Sequence, residues 1–161
     1  MGTVAVKWLT SKLMTGVDSR GQTVVIGTWA ELDPPWAGLK PSDMLLLAAA
    51  SCSAHDVVLI LEKKREPLLG LEVTCTGEQQ EQPPFIFTRI HLHYKLFGEL
   101  NPEKVVRAIR LSEEKYCSVI NTLKPAVTVT HDYQIVKSPQ IDHEAATRDM
   151  SQDGEKTKTN S

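Results

Sequence analysis

Two cysteines carry the chemistry available to this chain. Cys52 closes the apolar run Met44-Leu-Leu-Leu-Ala-Ala-Ala-Ser-Cys52, and Cys117 closes Leu111-Ser-Glu-Glu-Lys-Tyr-Cys117. Both stretches read as helix, with two strands predicted between them. A helix holds a thiol rigidly, so two helices crossing in a core bring two sulfurs within disulfide reach when their Cα atoms lie roughly 4.4–6.8 Å apart. Cys75, between Thr74 and Thr76 in a predicted strand, has no partner suggested by sequence and reads as structural. No cysteine pair has CxxC spacing and the histidines do not cluster with cysteines, so neither a zinc site nor a resident cofactor is expected.

The residues around Cys52 set the terms of its chemistry. Ala48, Ala49, Ala50 and Ser51 leave little bulk beside the sulfur, so another helix or a partner subunit can approach closely. His55 and Asp56 fall one helical turn further on. Asp56 reads as a structural hydrogen-bonding group and His55 as a hydrogen-bonded core or interface histidine. A hydrolase built on Cys52 and His55 has awkward geometry, since residues i and i+3 of one helix do not align for in-line attack.

The elements that must position the thiols follow from period and punctuation. Strands are expected over 3–8, 12–17 and 23–29, with turn residues at Asp18-Ser-Arg-Gly21, forming an antiparallel meander. The loop Asp33-Pro-Pro-Trp-Ala-Gly-Leu-Lys-Pro41 delivers the chain to a long helix from Pro41 or Ser42 to about Lys64. That helix is apolar nearly all round and belongs in the core. Two further strands, 69–78 and 85–97, form a hairpin whose second strand alternates Ile90, Leu92, Tyr94 and Leu96 with Arg89, His91, His93 and Lys95. Asn101-Pro102-Glu103 opens a helix, a short helix carries Cys117, and 126–136 is the last strand. The order is α+β. Residues 1–137 form the domain, and 138–161, almost free of bulky apolar side chains, are expected to be a disordered tail.

Composition excludes several classes of partner. Eighteen Lys and Arg against 20 Asp and Glu leave a net charge of −2 and no basic footprint for nucleic acid. The N-terminus lacks the succession of a secretory signal, so a cytoplasmic location is expected. The longest unbroken apolar stretch, Met44 to Ala50, falls well short of the roughly 20 residues that span a bilayer, and no membrane association is expected.

Lys40-Pro-Ser-Asp-Met-Leu-Leu-Leu-Ala-Ala-Ala-Ser-Cys-Ser-Ala-His-Asp-Val57 resembles the first cysteine helix of the OsmC/Ohr family, in its YhfA-like branch, and Leu111 to Cys117 resembles that family's second cysteine motif. The resemblance runs from Thr3 to Val136. It implies an α+β OsmC-like fold, with antiparallel sheets packed around long buried helices, in an intertwined homodimer whose sites lie at the subunit interface. It also implies reduction of organic hydroperoxides to alcohols, with Cys52 attacking the peroxide and Cys117 resolving to a disulfide, and an external dithiol, lipoyl or another thiol, as reductant. Relatives use an arginine and an acid beside the thiol. Arg20 and Asp43 are the candidates here, although Ser42 stands directly after Pro41 where glutamate is usual. Trp29, Trp36, Met44 and Tyr116 are candidates to line an apolar pocket for the hydroperoxide tail. The alternative is a dimeric redox-sensing or ligand-binding protein with little turnover.

Overall fold

The computed structural model describes residues 2–27 and 38–137. Trp29, Trp36, the proline-rich loop up to residue 37 and the tail from 138 lie outside the described residues. Strands β1 (Ala5–Thr10), β2 (Leu13–Val17) and β3 (Thr23–Gly27) form an antiparallel sheet in the order β1-β2-β3. Asp18 caps the β2–β3 turn, its carboxylate accepting the backbone N–H of Arg20 and Gln22, each at 2.8 Å.

Helix α1 (Pro41–Lys63) starts on proline with Asp43 in its first turn. Its buried stripe is Ala49, Ser53, Val57 and Leu61, one residue every four, which is the face an α-helix turns toward a single neighbouring layer. Beside that stripe Leu46, Ala50, Cys52 and Ile60 are partly buried, whereas Leu47 is 51% and Leu59 40% exposed among the described residues. The helix is also longer than the unbroken apolar run suggests. Its most apolar window has a mean hydropathy of 2.0, long and apolar enough to cross a membrane on those criteria alone.

The second sheet is β4 (Gly70–Gln79), β5 (Phe87–Phe97) and β6 (Thr128–Val136), in that order. The expected β4–β5 hairpin is antiparallel. The β5–β6 pairing is parallel, because the helices between them carry the chain back to the end of the sheet from which β5 began. Ile90, Leu92, Tyr94 and Leu96 point into the core against α1 and helix α2 (Pro102–Leu111), which buries Val105, Ala108 and Ile109. Asn101 caps α2 through its side chain, accepting from the backbone N–H of Glu103 at 2.9 Å and Lys104 at 3.3 Å.

After α2 the chain makes one π-helical turn, Ser112–Tyr116, before helix α3 (Ser118–Leu123). Two contacts hold this turn against β6 and α3. His131 Nδ1 lies 2.9 Å from the buried Glu113 carboxylate, and Lys124 Nζ donates to the Glu113 carbonyl at 2.6 Å. The bond to Glu113 raises the pKa of His131 against the opposing effect of burial. A raised folded-state pKa means that the stabilisation is complete below the ordinary histidine value of about 6.5 and is lost as pH rises through the higher folded value. Partial exposure of His131 keeps the effect to about 1 kcal/mol or less. The difference in urea midpoint between the native protein and His131→Gln is therefore expected to shrink from pH 6 upward, and a difference independent of pH would contradict the pairing.

Candidate active site

The turn between α2 and α3 decides which side chains meet. In an uninterrupted α-helix, five residues rotate a side chain by about 140° away from its starting face. In the π turn, the Cys117 N–H instead reaches the Ser112 carbonyl at 2.8 Å, so Ser112 and Cys117 present themselves to the same neighbour. That neighbour is α1, where Cys52 and Asp56 lie one turn apart. As a result Cys52 Sγ, Cys117 Sγ and a carboxylate oxygen of Asp56 all lie within 4.8 Å of one another.

Cys117 is not inside a helix, as the sequence pattern suggested. It is the N-cap of α3, with φ −71° and ψ 102°, and its sulfur accepts the Ile120 N–H at 3.4 Å. The two thiols differ in environment. Cys52 is half-buried, whereas Cys117 is fully enclosed. Burial pushes the Cys117 thiol up to about 12, and the adjoining Cys52 thiol adds to the rise against the lowering pull of the Ile120 N–H. At neutral pH Cys117 holds its proton.

A chain of hydroxyls that sequence reasoning missed supports the pair. The Tyr94 hydroxyl is 2.6 Å from Ser53 Oγ, Ser53 Oγ is 3.0 Å from Ser112 Oγ, and Ser112 donates to Asp56 Oδ2 at 3.0 Å. Ser53, Ser112 and Tyr94 are all completely buried, and each finds its partner within the chain. A polar residue on the one buried stripe of α1, and a tyrosine among Ile90, Leu92 and Leu96, were the available signals. Asp56 has the hydrogen-bonding part expected of it, one turn from Cys52 and beside both thiols.

The other predicted site residues are elsewhere in the protomer. Asp43 lies nine residues before Cys52, about half a turn round α1 and about 13 Å along it. It pairs with Lys40 at 3.7 Å. Arg20 sits exposed in the β2–β3 turn, on the N-terminal sheet. His55 is exposed and stands outside the thiol cluster. Cys75 lines a separate groove with Leu46, Ala50 and Val73, and burial raises its pKa. Tyr116 lines a cavity of about 310 Å³ that Asp56 opens onto, together with Leu59, Ile60, Lys63, Lys64 and Leu111. Met44 lies instead beside the N-terminal sheet.

Comparison with known proteins agrees with the motif resemblance. A family model described as OsmC-like protein matches residues 34–132. Protein YhfA of Escherichia coli K12 is 40% identical over 133 residues, covering 81% of this chain and 96% of that protein. Among solved structures, the OsmC-like protein from Mycoplasma pneumoniae aligns with a TM-score of 0.73 at 18% identity, covering 84% of this chain and 97% of that one. The organic hydroperoxide resistance protein OhrB of Bacillus subtilis aligns with a TM-score of 0.62 at 12% identity, covering 83% and 98%.

Proposed function

This chain belongs to the OsmC-like protein family, and from that premise we propose that it is a thiol-dependent peroxidase reducing organic hydroperoxides to alcohols. The observation that carries the reading is the pairing of a half-buried thiol, Cys52, with an enclosed and firmly protonated one, Cys117, within 4.8 Å. Cys52, as thiolate, attacks the distal peroxide oxygen; an S–O bond forms, the O–O bond breaks, and the departing alkoxide takes a proton to become the alcohol. Cys117 sulfur then displaces hydroxide from the Cys52 sulfenic acid, and its own proton completes the water that leaves. An external dithiol, a lipoyl group or another thiol, reduces the resulting disulfide and closes the cycle.

The working form is a homodimer. Support comes from the bare faces of α1 and from the N-terminal sheet, where Val4, Val6 and Trp8 are 61–70% exposed. A contiguous apolar face of this kind marks an interaction surface. Arg20, exposed in the β2–β3 turn, is the cation that such a dimer would have to bring to Cys52. Consumption of cumene hydroperoxide by the reduced protein in the presence of a dithiol tests the reading.

A redox sensor with little turnover is favoured by one feature. Within the protomer the charged group beside the thiols is the Asp56 carboxylate, which does not stabilise a thiolate as a guanidinium does. Disulfide formation without sustained peroxide consumption is the result that selects this second reading.

A further inference from the structure

The same three side chains make a ligand set for a soft metal ion. We propose that Cys52, Cys117 and Asp56 bind a thiophilic divalent cation such as Zn²⁺ reversibly, as two sulfurs and one oxygen with a fourth position left to water.

The spacing is close to what one ion requires. Two Zn–S bonds of about 2.3 Å at a tetrahedral angle separate the sulfurs by about 3.8 Å, and the ligand atoms lie within 4.8 Å of one another before any ion draws them in. The oxygen ligand is already oriented. Ser112 holds Asp56 by its hydroxyl, Ser53 holds Ser112, and Tyr94 holds Ser53, which is the supporting shell that metal-binding carboxylates need. The site is reachable, since Asp56 forms part of the wall of the 310 Å³ cavity and Cys52 is half-buried. The two sulfurs select soft cations over hard, hydrated ones. No sequence motif announces the set, because its members come from two turns of α1 and from the N-cap of α3, 61 residues after Asp56.

Binding replaces the thiol protons and occupies both sulfurs, so the ion masks the pair. The consequence for peroxide chemistry rests on the peroxidase reading; the binding does not. When a hydroperoxide oxidises the masked pair, the two thiolates give up two electrons to the O–O bond, a disulfide forms, Zn²⁺ leaves unchanged in charge, and two protons from solvent complete the alcohol and water.

Chelator-treated, reduced protein titrated with Co²⁺ is expected to develop a thiolate-to-cobalt charge-transfer band that saturates at one ion per chain and is displaced by Zn²⁺. The band is expected to vanish in Cys52→Ser and Cys117→Ser and to persist in Cys75→Ser. Asp56→Asn is expected to weaken binding by at least about tenfold. On the unaltered protein, Zn²⁺ is expected to slow alkylation of Cys52 by N-ethylmaleimide, with EDTA restoring it. Absence of the band, its survival in both cysteine variants, or alkylation indifferent to Zn²⁺ overturns the proposal. Zinc binding by a protein that consumes no hydroperoxide would defeat the peroxidase reading alone; consumption without band or protection would defeat the metal site alone.

Discussion

Replacing Cys52 with serine is expected to abolish turnover of cumene hydroperoxide, with kcat/KM falling by at least about a thousandfold, which corresponds to about 4 kcal/mol of transition-state stabilisation. A hydroxyl at this position does not ionise in the accessible pH range and cannot form the S–O bond. Cys117→Ser is expected to behave differently, because in the proposed cycle its enclosed thiol enters only the second step. The first equivalent of peroxide is expected to be consumed at a nearly unchanged rate, after which Cys52 should accumulate as sulfenic acid and then move irreversibly to sulfinic acid. Stopped-flow consumption followed by peptide mass mapping separates the two variants. Full activity in Cys52→Ser would remove the nucleophile from the account.

The second large effect is on assembly. Leu47, in the second turn of the apolar helix α1, is left 51% exposed by the described residues. Leu47→Asp places a charge on the surface assigned to the partner. Burying an unpaired carboxylate in such an interface is expected to weaken association by more than a hundredfold, about 3 kcal/mol or more. Sedimentation of the native protein as a dimer, and of the variant as a monomer or as unfolded chain, is the expected result. A native monomer would contradict the dimer, and a variant dimer of native strength would place the interface elsewhere.

Much of the architecture was legible because its signals are local. Asn101-Pro102 announced the cap of α2, alternation from Ile90 to Leu96 announced the buried face of β5, and Pro41 announced the start of α1. The parallel β5–β6 pairing was not legible, since it depends on where three successive helical segments return the chain. The two cysteines were legible through their motifs. Their setting was not, because the π turn at 112–116 shifts the facing of every residue after it, bringing Ser112 round to the side of Cys117. Asp56 is held at the thiols by Ser112. Distance along α1 alone could have excluded Asp43 from the protomer's own cluster, since nine residues turn it to the opposite side.

The central claim is that Cys52 and Cys117 form one redox couple. Intact mass of the reduced protein before and after one equivalent of organic hydroperoxide, followed by peptide mapping, tests it most directly. Loss of two hydrogens and a single cross-link between the peptides bearing Cys52 and Cys117, with Cys75 still free, is the expected result. Oxygen added at Cys52 without a cross-link, or a cross-link through Cys75, would contradict it.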